Sequence, residues 1–346
     1  MPRKKSILKT HIPHGGKWQS FNLLTDDITP QRVAEALRAA RMGEIGRLYR
    51  IYERMESRDD RYGGVVSSFK RAIARRRVRI TASRDYVTEE EKGIAQEYAE
   101  RIRVLFRELD YRAVSKTLVR PYLYGLSGYE IEYERKDVPG LGRRVVPVKL
   151  TTTPTARTVW DNSDNPERWG RPGIRLANGK IKLFKDYRQD KVFTLEDEPM
   201  RGKWHEAGIA RRSLSWFMIK QFAQQWWAEY GELYGEPFRI ARTPDHTDDE
   251  LNDFLAQMLE SLGQNGWGIV PEDLAFELME AERSGSIQTF SDLIKYANDA
   301  FAVTVLGQVQ TTDGGRNGSF AKAKVQNNVR HDILQEVALL VEGGYE

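Results

Sequence analysis

The chain has 346 residues, a formal net charge of +4 and no cysteine. Its 40% hydrophobic and 30% charged residues allow a substantial core, and no run approaches the roughly eighteen apolar residues that a membrane span requires. The lack of cysteine excludes disulfides, thiolate metal sites and thiol redox chemistry. We therefore expect one large domain or two to three smaller ones, with no membrane partner.

The first 27 residues predict a basic arm, because no continuous apolar region of a secretory signal follows the basic start. Thr29 and Pro30 are typical of the N-cap and first position of a helix. Gly43 would end that helix, and a second apolar stripe over residues 45–55 predicts its antiparallel partner. Residues 65–76 predict a third helix, and the alternation over 78–82 predicts a strand.

Basic residues cluster around the end of that third helix. They could meet phosphates. They could also lie on a solvated or salt-bridged face, which the lack of interleaved aromatic residues favours. The cluster consists of Lys70, Arg71, Arg75, Arg76, Arg77 and Arg79.

The middle of the chain predicts helices followed by a mainly antiparallel sheet. Thr88 and Glu91 are spaced as a capping box for a helix that runs to Phe106, and residues 114–125 are also predicted to be helical. From Gly128 to Leu195, apolar and polar residues alternate in short runs separated by turn residues, among them an Asn-Gly pair at 178–179. The fold class is therefore predicted to be α+β.

Large apolar residues recur at steps of three and four from Ser213 to Tyr234, the period of a helix stripe. A helix of this length would be about 33 Å long. We expect Lys220 and the Gln and Glu residues on its opposite, wet side. Two interpretations stay open: a core helix, or a helix whose aromatic residues are buried by a neighbouring copy of the chain.

Residues 236–286 carry twelve acids and three bases, a net charge of −9, which leaves +13 for the rest of the chain. Within this segment we predict strands at 238–242, 267–270 and 274–279 and a helix over 251–262 with a capping box at Thr247. The result would be a small acidic α/β unit. It is either the docking surface of a separate partner or an acidic solvated subdomain.

A second long helix is predicted to end near residue 306, followed by a polar, glycine-rich loop over 307–318 and a last helix with its apolar seam from Val325 to Leu340. The loop lacks the Gly-Lys-Ser/Thr of a phosphate-binding loop. His11 and His14 have no third ligand nearby, and the paired acids fit helix caps. No order of nucleophile and base supports hydrolase chemistry, so we expect no enzyme, cofactor or metal.

The order of these segments resembles that of bacteriophage portal proteins, and the sequence is most similar to the Mu-type portal family. No single match is a catalytic signature, but their order is specific over roughly residues 28–340. The matching segments are 43–59, Tyr124 to Ile131, Trp226 to Pro237, Val270-Pro271, Phe290 to Ile294, Leu306 to Gln308 and the Gly-Ser-Phe-Ala run from Gly318.

The resemblance implies a ring, dodecameric when assembled, at one vertex of the capsid, through which double-stranded DNA is packaged and ejected. It divides the chain into regions of a portal subunit. The match departs at its end, because family members usually continue past the tunnel helix into a C-terminal helical crown, whereas this chain stops at Glu346; we therefore do not expect a crown. The regions are an arm (1–27), a wing (28–212), a stem helix (213–235), a clip (236–286), a second stem helix (287–306), a tunnel loop (307–318) and a tunnel helix (319–346).

The resemblance also implies partners and a location. The large terminase subunit would dock on the clip, head-tail adaptor proteins would replace it, and the major capsid protein would surround the ring. The particle would be assembled in the host cytoplasm, and the mature protein would lie in the virion. The clip residues expected to dock partners are Asp248, Asp249, Glu250, Asp253 and Glu260.

Two further sets of residues follow from the resemblance. Arg316 and Asn317 in the loop, with Lys322 and Lys324 in the last helix, are expected to face DNA in the channel. Aromatic residues of the stem helix are expected to lie between subunits: Trp216, Phe222, Trp226, Trp227 and Tyr230.

Two alternatives come from other functional classes. A basic nucleic-acid-processing enzyme with an acidic metal site in residues 236–286 predicts cleavage that depends on a divalent metal. A monomeric head-tail adaptor predicts neither a ring nor cleavage.

Overall fold

The structure is a computed structural model that describes residues 28–82, 88–107, 109–197, 201–234, 238–242, 253, 275–279, 284–309 and 320–345. The chain divides into two compact units. The first comprises residues 1–214 and 302–346, and the second comprises residues 215–301.

The first unit opens with a helical hairpin and a third helix, α1 (Pro30–Arg41), α2 (Ile45–Arg58) and α3 (Asp60–Ala74). The predicted cap of α1 is confirmed, since the Thr29 hydroxyl accepts a hydrogen bond from the Arg32 amide. Gly43 makes the turn with a φ of 100°. Helix α3 begins five residues earlier than predicted, because the Asp59 carboxylate caps it by accepting from the Tyr62 amide at 2.8 Å.

The strand predicted over residues 78–82 is wrong, because this segment has no regular structure. The alternation of its side chains is real, but a strand also needs a neighbouring strand to bond with. In its place, the Nε of Arg103 donates to the Ile80 carbonyl at 2.9 Å.

Helix α4 (Glu89–Leu105) has both hydrogen bonds of the predicted capping box between Thr88 and Glu91. The helical stretch predicted over 114–125 is two helices, α5 (Tyr111–Leu118) and α6 (Arg120–Tyr124). Pro121 lies in the first turn of α6, where a residue without an amide hydrogen is tolerated.

The predicted antiparallel region is confirmed, but it forms two sheets. In the first, the strand order is β2-β1-β6, and in the second it is β3-β4-β5. The Asn-Gly hairpin is confirmed between β4 and β5, where Gly179 has a φ of 81°. The strands are β1 (Leu126–Val138), β2 (Gly142–Thr152), β3 (Thr158–Trp160), β4 (Pro172–Arg175), β5 (Ile181–Leu183) and β6 (Val192–Glu196).

Only the first part of β1 is half-buried as predicted. Tyr129 is buried, whereas Tyr133, expected on the same face, is 41% exposed. Strand β6 pairs with β1 over residues 126–130, so the rest of β1 and β2 forms a ribbon beyond that strand.

The long helix is confirmed as α7 (Ile209–Tyr234), which is 26 residues and about 39 Å long. It leads to β7 (Phe238–Arg242), which pairs antiparallel with β8 (Ala275–Met279) and confirms those two strands. Helix α8 (Ser284–Leu306) follows, and α9 (Phe320–Gly343) is the last helix. The helix predicted over 251–262, apart from Asp253, and the strand over 267–270 lie outside the described residues.

The α+β class is thus confirmed. Among the described residues, no helix combines the length and the apolar composition that crossing a membrane would take.

Candidate functional site

The aromatic stripe of α7 is exposed on the surface of the chain. Trp226 is 49% exposed and Trp227 is 42% exposed, and Ile219 is exposed as well. The rings of Phe222 and Trp226 stack with their centroids 5.7 Å apart, while Trp216 and Tyr230 are half-buried. These side chains form a continuous apolar face, which we call the α7 aromatic face.

The prediction of a wet side of α7 is correct for Gln225 and Glu229, which are exposed, and wrong for Lys220. Ser213, Phe217 and Ala223 are buried, and Lys220 is only 2% exposed. The Nζ of Lys220 lies 5.8 Å from the centroid of the Phe301 ring, within the range of a cation–π contact. Phe301 of α8 covers Lys220, which the sequence of α7 alone could not indicate.

Helices α7 and α8 run antiparallel in the second unit. Lys220 meets Phe301 near one end, and Tyr230 meets Phe290 in an edge-to-face contact at 6.1 Å near the other. Tyr296 on α8 is also exposed. Sequence analysis missed Tyr296 because it lies off the apolar stripe of α8.

Both ends of the segment that contains the predicted tunnel loop are fixed on the first unit. At the end of α8, just before the loop, the Tyr122 hydroxyl donates to the Val305 carbonyl at 3.2 Å. Gly307 has a φ of 70°, and a Cβ there would lie 2.7 Å from the Ile333 side chain of α9. After the end of α9, the Tyr345 hydroxyl donates to the Tyr111 carbonyl at 3.0 Å.

The predicted seam of α9 is buried only in its second half. Val337 and Val341 are buried, whereas Val325 and Val329 are exposed. The start of α9 thus leaves apolar surface uncovered within the chain.

Most predicted DNA-facing and docking residues lie outside the described residues. Arg316, Asn317, Asp248, Asp249, Glu250 and Glu260 belong to this group. Lys322 and Lys324 lie in α9, but the structure does not describe their side chains. Asp253 is exposed. The roles of these residues stay predictions.

In the basic cluster at the end of α3, Lys70 is salt-bridged and the arginines are solvated. Lys70 pairs with Glu56 at 2.5 Å. The arginines of the cluster form no ion pair in the part of the chain that the structure describes, and they are all exposed: Arg71, Arg75, Arg76, Arg77 and Arg79.

No group of three or more metal-ligating side chains occurs among the described residues. The acidic segment that the enzyme alternative invokes lies largely outside them.

The match to a family model places the chain in the class of bacteriophage portal proteins. The family described as the portal protein of Mu bacteriophage matches residues 49–344. This match covers most of the chain, and the chain belongs to that family.

Two curated relatives share 26% identity with the chain and match 88% of it. One is the Mu-like prophage FluMu protein gp29 of Haemophilus influenzae, aligned over 311 residues, and the other is the portal protein of Escherichia phage Mu, aligned over 318 residues. The chain matches 56% of the length of each, so it spans about half of these relatives.

The solved structures to which the chain shows some similarity include a chain from the virion of a native gene transfer agent particle. It has 13% identity and a TM-score of 0.49, with 84% of this chain and 79% of that chain covered. Another is an HK97 family phage portal protein from Corynebacterium diphtheriae, with 10% identity, a TM-score of 0.35, and 71% and 72% of the chains covered. Family membership rests on the sequence matches.

Proposed function

We propose that the chain assembles into a closed ring that forms the DNA channel at one vertex of a phage capsid. The observation that carries this proposal is the match to the Mu portal family over residues 49–344. The exposed α7 aromatic face supports it, because large aromatic side chains left in water favour burial by another protein surface.

The α7 aromatic face would lie between neighbouring subunits. A ring is a head-to-tail interface that closes, so the face would meet a different surface of the next copy. Trp226 and Trp227 would be central to it, since aromatic residues dominate the buried cores of interfaces. The dodecameric number follows from the resemblance.

The segment over 307–318 would be the tunnel loop. Its near flank is fixed where Tyr122 bonds Val305, while its glycines allow it to change shape. Arg316, Asn317, Lys322 and Lys324 would touch DNA phosphates weakly and without regard to sequence, since tight binding would stall translocation.

The loop is tested by replacing Arg316 and Lys324 with alanine. We expect rings that still form, but with reduced packaging and reduced DNA retention in filled heads. Unchanged packaging and unchanged retention would refute this role.

The acidic clip over 236–286 would dock the large terminase subunit during packaging and head-tail adaptor proteins afterwards, through Asp248, Asp249, Glu250, Asp253 and Glu260. Its net charge of −9 supports this.

Replacing Asp248 and Asp249 with lysine should abolish co-purification with the terminase subunit. As a control, replacing the exposed Asp164 and Glu167 of the wing with lysine should leave co-purification unchanged. Equal loss of co-purification in the clip and wing variants would argue against docking at the clip.

The wing, residues 28–212, would be surrounded by the major capsid protein, and the assembled ring would be part of the virion after assembly in the host cytoplasm. We infer no enzymatic activity for the ring. Divalent-metal-dependent cleavage of DNA by the purified protein would favour the enzyme alternative, and a monomer that joins heads to tails would favour the adaptor alternative.

A further inference from the structure

A surface cavity of about 450 Å³ lies in the first unit, where helices α2, α3, α5 and α6 meet the end of strand β2. This volume is within the range of sites for small molecules. Its wall combines three cations, one acid and apolar side chains: Lys70, Lys116, Arg120, Glu56, Leu123 and Leu150. None of these residues belongs to the α7 aromatic face, the tunnel loop or the clip.

The three cations reach the cavity from two directions. Lys70 belongs to α3, which packs against α5. Lys116 on α5 and Arg120 on α6 are four residues apart, and Val119 between them keeps helical backbone angles, so the two side chains lie on the same side of the chain. An anion in the cavity would therefore meet positive charge on more than one wall.

Acids balance two of these cations but not the third. The Nζ of Lys70 lies 2.5 Å from the Glu56 carboxylate, and the Nη2 of Arg120 donates to the Glu53 carboxylate at 2.6 Å. Lys116 is exposed, and its side chain has no ion pair or hydrogen bond among the described residues. Three cations against two acids leave an excess of one positive charge around the cavity.

Hydrogen-bond donors for an oxyanion are also present. Within the described part of the chain, the Nε and Nη1 groups of Arg120 have no acceptor, and the Thr152 hydroxyl of the cavity wall donates to no group. The Arg120 guanidinium lies 4.5 Å from the centroid of the Tyr124 ring, a contact that restricts its position. Leu123 and Leu150 add an apolar part of the wall. These features match an anionic group attached to a small organic body.

We propose that the cavity binds a small phosphate monoester, with its phosphate group at Lys116 and Arg120 and its organic body against Leu123. A phosphate monoester suits the site better than a carboxylate, because it carries nearly two negative charges at neutral pH and three acceptor oxygens. Lys70 can turn from Glu56 to the bound phosphate and supply a third cation. The site does not depend on the proposed ring or on its channel.

The test titrates adenosine monophosphate into the full chain by isothermal titration calorimetry. Adenosine and inorganic phosphate serve as probes for the two parts of the ligand. We expect adenosine monophosphate to bind, inorganic phosphate to compete with it, and adenosine alone to bind far more weakly. Lys116→Gln should weaken the binding of adenosine monophosphate about tenfold, since it removes one charge-assisted hydrogen bond. Lys116→Arg should retain most of the affinity, because the charge remains.

Two further variants separate a local effect from a general one. Lys180→Gln removes the same charge from an exposed lysine in the β4–β5 turn, outside the cavity, and should leave the affinity unchanged. Glu56→Gln should raise the affinity about threefold, because it frees Lys70 from a partly exposed ion pair. Thermal melting of each variant checks that the subunit is folded.

Equal weakening by Lys116→Gln and Lys180→Gln would overturn the proposal, because a general charge effect would explain it. So would adenosine that binds as tightly as adenosine monophosphate, or no binding of either phosphate probe. A folded Glu56→Gln variant with weaker binding would also contradict it. Displacement of adenosine monophosphate by a short DNA duplex at the same phosphate concentration would assign the site to the DNA backbone and overturn the assignment to a small monoester.

Discussion

Single residues hold the loops of the first unit in place, and Asp161 is an example. Its buried carboxylate accepts from the Ser163 amide and from the Nε of Arg168, both at 2.9 Å. Burial by itself raises the pKa of Asp161, but the hydrogen bonds from Ser163 and Arg168 outweigh it and leave the pKa below the ordinary value. Asp161 thus stabilises the fold when it is ionised.

Replacing Asp161 with asparagine should lower the free energy of unfolding by about 1–3 kcal/mol at neutral pH, the usual value of a charged hydrogen bond. Because the folded pKa is depressed, the contribution is present above the unfolded pKa of about 3.9 and is lost as pH falls through the folded pKa. Urea unfolding at a series of pH values checks this. A difference between the two proteins that stays constant down to the most acidic pH would contradict the assignment.

Residue contacts that span three or four positions could be predicted from the sequence. The caps at Thr29 and Thr88 are examples, because the donor and acceptor lie in the same helical turn. Lys220 and Tyr133 could not be predicted. The burial of Lys220 depends on Phe301, 81 positions away, and the exposure of Tyr133 depends on where β6 stops pairing.

At the scale of the element, α7 carries both buried and exposed large side chains. Phe217 and Lys220 are buried, and Tyr230 of the α7 aromatic face contacts Phe290 of α8. Trp226 and Trp227 are exposed, and our proposal is that a second copy of the chain buries them. The sequence indicated the helix and its stripe, but it left open whether that stripe belonged to the core.

This division predicts different costs for two substitutions in α7. In the unassembled chain, Phe217→Ala should lower the free energy of unfolding by about 3–5 kcal/mol, since it empties a buried site. Trp226→Ala should cost about 1 kcal/mol, mainly the lost stacking with Phe222. Denaturant unfolding at low protein concentration measures both. Equal costs would show that Trp226 belongs to the core.

The exposed tryptophans of α7 should matter more for assembly than for the stability of the subunit. Trp226→Ala combined with Trp227→Ala should weaken association strongly while the subunit stays folded, because aromatic anchors carry much of an interface's binding energy. Sedimentation velocity at several concentrations distinguishes the two effects. Association as strong as that of the parent chain would exclude the α7 aromatic face from the interface.

At the scale of the whole molecule, the order of the segments indicated the portal family, although no single segment was specific to it. Helical hairpin, antiparallel region, long helix, strand pair and two further helices occur in the predicted order. The division into two sheets was not predicted, since β3 has three residues and is too short to show alternation. The role of residues 236–286 as a docking clip stays a prediction, based on their net negative charge.

The central claim is a closed ring with a channel, and electron microscopy of the purified chain tests it most directly. The account predicts class averages with rotational symmetry and a central hole wide enough for duplex DNA, and the loss of these rings when Trp226 and Trp227 are replaced with alanine. Discrete particles without a central hole, at concentrations where the chain is fully associated, would contradict it.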